Sequence, residues 1–139
     1  MRRKTRNYRE ILRGWWFPAA LLLAGCAADP GFEDIDVRRA AELLAANREN
    51  TTFVVIDVRG PREFAAGRIP GAVNVSIHDP NFRRNLEGLN RKKTYLVYCN
   101  VGTRSRRAGG LMAELGFKRI YHLPAGIRGW QAGRQDVER

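Results

Sequence analysis

The sequence feature that most constrains the fold is a regular alternation of apolar runs with short helical segments. The runs TTFVVIDV (51–58), AVNVSI (72–77), TYLVYC (94–99) and RIYHL (119–123) fit β-strands. TTFVVIDV has no polar alternation until its end, as expected for a strand buried on both faces. Strands that alternate with helices at this spacing predict an α/β domain built on a parallel sheet. At 139 residues the chain has room for one such domain with a real core.

The segments between the strands carry helix start and stop signals. A capping aspartate, a proline at a first helical position and glycines after the ends mark the boundaries. The predicted helices are Val37–Ala46 after Asp36, Pro61–Ala66 before Gly67, a short segment after Asp79-Pro80, a longer helix from Ser105 to Gly116, and a turn with a short helix in AGIRGWQAG (125–133).

The first 25 residues resemble a bacterial lipoprotein signal peptide. A basic start, MRRKTRNYREILR, is followed by the 11-residue apolar stretch WWFPAALLLAG. That stretch is far shorter than the roughly 20 residues of a membrane-spanning helix, and its length is typical of a signal peptide. The last residues before Cys26 match the lipobox cleavage pattern. We therefore treat residues 1–25 as a targeting segment that is no part of the fold.

The lipobox resemblance implies cleavage before Cys26, a thioether-linked diacylglycerol on its sulfur and usually a third acyl chain on its amine. Two or more acyl chains give stable membrane anchoring. We therefore expect a periplasm-facing lipoprotein in which residues 26–33 form a lipidated tether. Ala27 follows in place of the aspartate that marks inner-membrane retention in enterobacterial lipoproteins. By that analogy the outer membrane is favoured over the inner one.

The strongly basic composition does not predict a nucleic-acid partner. The formal charge is +11, but residues 1–25 hold six of the basic residues and one glutamate, which leaves +6 on the remainder. In that remainder no basic stripe interleaved with aromatic residues is present. A nucleic-acid interface would therefore rest on charge alone, which is weak for an exported chain.

Cys99 is the candidate nucleophile. Cys26 and Cys99 are the two cysteines of the chain, and lipidation would consume the first, which leaves a lone thiol. Cys99 ends an apolar run and precedes a predicted helix, where unpaired backbone amides and the helix dipole favour an anion. Gly102 permits a backbone bend and Arg104 adds a fixed cation. Each of these should lower the thiol pKa. Without this loop, a buried strand-end cysteine would be the better interpretation.

Four segments of the chain resemble a single rhodanese domain over about residues 34–133. They are VVIDVRGPREFAAGRIPGAVNV (54–75), YLVYCNVGTRS (95–105), LMAELGFKRIYHL (111–123) and AGIRGWQAG (125–133). The resemblance implies a three-layer domain, a central parallel sheet with helices on both faces, followed by a C-terminal tail at 134–139. It also implies a sulfurtransferase that needs no cofactor. Such an enzyme takes a sulfane sulfur from thiosulfate or a persulfide and passes it to a thiol or cyanide.

The resemblance assigns roles to the residues of the loop. Cys99 would be the nucleophile that carries the persulfide, and Arg104 would bind the anion. The backbone cradle would consist of Asn100, Val101, Gly102, Thr103 and Ser105. Phosphatases of the same fold carry a loop one residue longer, so the six residues from Cys99 to Arg104 argue against phosphatase or arsenate reductase activity. A binding or redox-sensing module without turnover remains the alternative function.

Other conspicuous residues have simpler interpretations. Asp57, Arg59 and Glu63 look like the family's structural cluster, which braces the loop after the first predicted strand. His78 and His122 have no ligand partners at metal spacing, so we expect ordinary surface or strand-end residues and no metal. Arg106 and Arg107 open a helix where cations are unfavourable, and they fit an anionic ligand or a solvated surface equally well. Arg68 stands where the family commonly has histidine and should add surface charge. Trp130 should anchor the core.

Overall fold

The computed structural model describes residues 31–139 as a five-stranded parallel sheet between two layers of helices. The predicted signal peptide and Cys26 lie outside the described residues. In chain order the elements are β1 Glu33–Asp34, α1 Val37–Ala46, β2 Phe53–Asp57, α2 Pro61–Ala66, β3 Val73–Asn74, α3 Phe82–Glu87, β4 Thr94–Tyr98, α4 Thr103–Glu114, β5 Ile120–His122 and α5 Gly126–Ala132. The spatial order is β1-β5-β4-β2-β3. The predicted fold class is confirmed.

The two central strands, β2 and β4, set the position of the site. Their register pairs Phe53 with Thr94 and continues in step to Asp57 opposite Tyr98. The two strands therefore end at the same level of the sheet. Ligand sites of parallel sheets lie beyond this carboxyl edge, and Cys99 follows β4 there.

The core has two halves, one on each face of the sheet. Alternate residues of a strand point to opposite faces. Ile56 and Val97 accordingly pack under α3 and α4, while Val55 and Leu96 pack under α1 and α5. Trp130 is 3% exposed in the second half, which confirms it as a core anchor.

Both ends of the described chain pack on the domain. β1 pairs with β5, which the sequence did not predict, and Phe32 packs edge-on against the His122 ring. The predicted tether 26–33 therefore ends in contact with the fold. At the other end, the Trp130 indole donates to the carbonyl of Asp136 at 2.7 Å. Glu138 forms an antiparallel bridge and a 2.5 Å ion pair with Arg68, so Arg68 does lie near the surface but has a partner.

Several strands are shorter than predicted, and two boundary differences, in β3 and α4, bear on the site. The strand expected over 72–77 contains only Val73 and Asn74. The Asn74 amide instead donates to the carbonyls of Asp57 and Arg59, which ties this edge strand to the loop after β2. The α4 helix begins at Thr103, two residues earlier than expected. No helix within residues 31–139 has the length and apolar content that a membrane span requires.

Candidate active site

Cys99 lies at the centre of a loop that joins β4 to α4. Its side chain is buried, with 1% exposed. The turn depends on Gly102, whose φ of +92° is in the left-handed region, and a Cβ there would lie 2.3 Å from the carbonyl oxygen of Pro124. Side chains are therefore excluded at this position by both conformation and space.

The β5–α5 connection holds the loop from behind. The amide of Ile127 donates to the Cys99 carbonyl at 2.9 Å, and the amide of Arg128 donates to the Asn100 carbonyl at 3.3 Å. Gly126 permits this approach, because a Cβ there would lie 2.2 Å from the Asn100 oxygen. With these carbonyls held by α5, the amides of the loop are left to face the thiol.

Several donors converge on the sulfur of Cys99. The Gly102 amide donates to Sγ at 3.1 Å and the Ser105 hydroxyl donates at 3.4 Å. Burial raises the pKa of the thiol, but the Ser105 hydroxyl and the amides of Ser105, Val101 and Gly102 outweigh burial, so the pKa lies below its ordinary value. The predicted effect of the loop on the pKa is thus present, and the thiolate is the reactive form of cysteine.

Arg104 lies beside the site but already has a partner. Its two terminal nitrogens each lie 2.8 Å from a carboxylate oxygen of Glu63, a bidentate geometry. Hydrogen bonding to Arg104 lowers the pKa of Glu63 to about 2, against a penalty from partial burial. The same pair, with help from the charge of Cys99, raises the pKa of Arg104. Arg104 is a quarter exposed, so it is positioned toward solvent at the mouth of the loop.

Glu63 lies close enough to Arg59 for that charge to help lower its pKa, but its hydrogen-bond partners are not those of the Asp57–Arg59 pair. Arg59 forms a buried pair with Asp57, at 2.6 Å between Nη2 and Oδ2, and its Nη2 also donates to the Gly67 carbonyl. This pair braces the loop after β2, as predicted. Glu63 instead accepts from the Gly60 amide and from Arg104. It therefore connects the loop after β2 with the loop after β4.

His122 ends β5, so it is a strand-end residue as expected, but it is not an ordinary one. Its side chain is fully buried, and its ring lies within hydrogen-bond distance of Asp34, Ser105 and the Gly102 carbonyl. The sequence contained a usable signal, because β5 is parallel to β4 and His122 pairs with Val97, two residues before Cys99. His78 by contrast is exposed, with its ring 3.4 Å from Arg104.

The remaining predicted loop residues surround the mouth of the site. Val101 is 52% exposed and Thr103 is exposed, while Asn100 is half-buried. Arg106 has a structural partner, because it forms a 2.5 Å ion pair with Asp34. Within residues 31–139 no group of three or more His, Cys, Asp or Glu side chains is placed to hold a metal ion.

Comparisons with known proteins agree with this geometry. Residues 40–133 match the model of the rhodanese-like domain family. A tRNA uridine(34) hydroxylase from Sinorhizobium medicae is 32% identical over 107 residues, which cover 70% of this chain and 34% of the hydroxylase. The chain thus spans about a third of that relative's length. A thiosulfate sulfurtransferase GlpE from Pseudoalteromonas translucida is 28% identical, over 78% of this chain and 98% of the relative.

The solved structures give the same answer. A rhodanese-related protein from Thermoplasma volcanium has a TM-score of 0.64 and 29% identity, and the match covers 76% of this chain and 97% of that one. The family match extends over more than half of the sequence and includes the Cys99 loop, β5 and α5. The chain belongs to the rhodanese-like domain family.

Proposed function

We propose that the protein is a rhodanese-type sulfurtransferase that carries a sulfane sulfur as a persulfide on Cys99. The observation that carries this proposal is the convergence of the Gly102 amide and the Ser105 hydroxyl on the Cys99 sulfur. The GlpE-type sulfurtransferases match along almost their whole length. The tRNA hydroxylases share only one segment with this chain, so hydroxylation is not proposed.

The first half-reaction loads sulfur on Cys99. The thiolate attacks the outer sulfur of thiosulfate, a new S–S bond forms, and the old S–S bond breaks with its electron pair leaving on sulfite. The amides that lower the thiol pKa are suited to hold the negative charge of the resulting persulfide. Arg104, oriented by Glu63 at the mouth of the loop, is placed to attract the anionic donor.

The second half-reaction returns the enzyme to its starting state. A thiol or cyanide acceptor attacks the terminal sulfur of the persulfide, and the electron pair of the broken S–S bond returns to Cys99 as thiolate. The acceptor must reach a sulfur that projects beyond a side chain only 1% exposed. The added sulfur atom lengthens the reactive group, and the loop residues Val101 and Thr103 on either side of Gly102 are exposed.

The test is transfer by the purified full-length protein. With thiosulfate, we expect the tryptic peptide 94–104, which contains Cys99, to gain the mass of one sulfur atom and to lose it on addition of cyanide. Reading the adduct on this peptide separates Cys99 from Cys26. Cys99→Ser should abolish both loading and thiocyanate formation, while the control Cys26→Ser should retain both in detergent extracts.

Other outcomes have defined meanings for this proposal. Failure of Cys99 to load from thiosulfate, polysulfide and glutathione persulfide would overturn it. Loading without transfer to any acceptor would favour the sensing module over the enzyme. Cys99-dependent hydrolysis of an aryl phosphate at a rate above that of sulfur transfer would instead favour phosphatase chemistry.

We further propose that the protein is anchored to a bacterial membrane through a lipidated Cys26 and faces the periplasm. The support is the lipobox at the end of the basic and apolar N-terminal segment. Metabolic labelling with palmitate should mark the wild-type protein. Cys26→Ser should remain unlabelled and uncleaved, and normal processing of this variant would contradict the proposed anchoring.

A further inference from the structure

The buried His122 connects a carboxylate at the edge of the sheet with the hydroxyl that touches Cys99. Its Nδ1 lies 2.7 Å from Oδ1 of Asp34, and its Nε2 lies 2.9 Å from Oγ of Ser105. Ser105 in turn lies 3.4 Å from the Cys99 sulfur. Four side chains from β1, β5, α4 and the loop after β4 therefore form one continuous chain of hydrogen bonds.

Oxygen atoms lie within hydrogen-bond distance of both nitrogens of the ring. An ionised carboxylate only accepts hydrogen bonds, so Nδ1 must donate to Asp34. Nε2 also faces a backbone carbonyl, that of Gly102, at 3.2 Å, and a carbonyl oxygen likewise only accepts. A lone pair on Nε2 would point at that oxygen, whereas an Nε2–H would be stabilised by it. The surroundings of His122 thus offer a hydrogen-bond acceptor to each ring nitrogen.

The protonation of the ring determines what Ser105 can do. The hydroxyl has one proton, and its neighbours are Nε2 of His122, the Gly102 carbonyl and the Cys99 sulfur. If Nε2 carries no proton, the Ser105 hydroxyl is needed as its donor at 2.9 Å. If Nε2 carries a proton, it donates to Ser105 or to Gly102, and the hydroxyl proton is free to point at the thiolate.

We propose that His122 is a positioning residue for Cys99 that acts through Ser105 and holds the proton which the thiol gives up. When the thiol ionises, the S–H bond breaks and its electron pair stays on sulfur. That proton moves to Oγ of Ser105, while the original hydroxyl proton moves to Nε2 of His122. The net change is one proton moved from sulfur to nitrogen, no bond between heavy atoms changes, and no oxidant or reductant is needed.

Asp34 holds the end of this series of hydrogen bonds that is farthest from Cys99. Its second oxygen, Oδ2, accepts from Arg106 of α4 at 2.5 Å, so the carboxylate is held from two sides. Phe32 lies edge-on to the His122 ring and under the Arg106 guanidinium, which limits the room in which the ring can turn. Within residues 31–139, the charged or titratable groups associated with the ring are Asp34 directly, Cys99 through Ser105, and Arg106 through Asp34.

The test is the pH dependence of Cys99 alkylation by iodoacetamide in the full-length protein, read on tryptic peptide 94–104. His122→Gln keeps an N–H donor of similar reach but cannot hold the extra proton. We expect it to raise the pH midpoint by about one unit, so that alkylation below the midpoint slows roughly tenfold. The limiting rate at high pH should be unchanged, which a simple loss of access would not reproduce.

A matched control separates this effect from loosening of β5. Ile120→Val removes one methylene from the same strand at a buried position that lies outside the hydrogen-bond chain, and it should leave the midpoint in place. Asp34→Asn, at the half-exposed end of the chain, should raise the midpoint by a smaller amount. It also serves as the second variant if His122→Gln fails to fold.

Two results would overturn the inference. One is an unchanged midpoint in His122→Gln, or in Asp34→Asn should the first variant not fold. The other is a single ring proton on His122, by nitrogen-resolved NMR of the wild-type protein, under conditions where Cys99 is a thiolate. The inference rests on the proposed function only in taking Cys99 as the nucleophile. Because alkylation needs no turnover, sulfur loading in the same samples shows separately whether the proposed function fails.

Discussion

The loops after β2 and β4 begin side by side at the same edge of the sheet, yet they manage charge in opposite ways. After β2, Asp57 and Arg59 are buried together and satisfy each other, with the Gly67 carbonyl taking a further guanidinium hydrogen bond. After β4, backbone amides and the Ser105 hydroxyl point at a single sulfur atom. The charges of the first loop neutralise each other. The donors of the second loop are instead available to a thiolate or persulfide anion on Cys99.

The comparison shows how a structural ion pair differs from a reactive thiolate when both follow a central strand at the same edge of the sheet. A buried ion pair is costly to desolvate and is kept only where its hydrogen bonds are satisfied, as those of Arg59 are. The nucleophile has a different arrangement, in which neutral backbone and hydroxyl donors surround the sulfur while the nearby cation Arg104 is itself paired with Glu63. Glu63 links the two loops, because it lies on the helix that follows the first loop and pairs with the cation of the second.

The largest expected effect comes from breaking the pair in the first loop. Asp57→Ala leaves the Arg59 guanidinium buried without its partner, so we expect the free energy of unfolding to fall by about 3–5 kcal/mol. Chemical denaturation at neutral pH measures this. The control is Asp36→Ala, which removes an exposed helix cap that accepts from the Arg39 amide and should cost about 1 kcal/mol. Equal losses in the two variants would contradict a structural role specific to Asp57.

The second prediction distorts the second loop while the first stays intact. Gly102→Ala places a methyl group against the Pro124 carbonyl, so the donors should shift away from Cys99. We expect sulfur loading to slow by roughly 100-fold, since a displacement of about 1 Å has effects of this size. Gly71→Ala is the matched control, because its φ is also positive, at +75°, but nothing lies within 4 Å of the new methyl. Comparable slowing in both variants would show that strain, rather than displacement of the donors, is responsible.

The smallest effect tests the connection between the loops. The pKa of Glu63 is lowered from 4.5 to about 2, so its ionised form stabilises the folded protein above pH 4.5, and this contribution is lost as the pH falls toward 2. Because the pair is partly exposed, Glu63→Gln should cost about 1 kcal/mol or less at neutral pH. The difference from wild type should shrink as the pH falls through this window. Urea midpoints across the window measure it, and a difference that stays constant would exclude the ion pair as its source.

Local chemistry made much of the fold predictable. The bounds of α1 and α2 matched because Asp36 and Pro61 mark helix starts by short-range rules. Strands β2 and β4 were recognisable as apolar runs buried on both faces. The Cys99 loop was recognisable because all of its determinants, from the strand end to Gly102 and Arg104, lie within six residues.

What escaped prediction depends on contacts distant in sequence. β1 consists of two exposed residues, Glu33 and Asp34, whose strand conformation comes from pairing with β5 rather than from any apolar pattern. The role of His122 depends on the same pairing, which brings Asp34 to its ring across 88 positions of the chain. Glu63 was grouped with Asp57 and Arg59 through the family resemblance, which did not reveal its bidentate partner Arg104, 41 positions away.

The docking of Phe32 and β1 has a consequence for where the protein can work. Under the proposed anchoring, Phe32 is six residues beyond the acylated Cys26, and a fully extended chain gains at most about 3.5 Å per residue. The linker between the lipid and the domain would then span about 20 Å when fully extended. The catalytic thiol would then stay within a shallow layer above the bilayer surface. Its sulfur donors and acceptors would have to enter that layer to react.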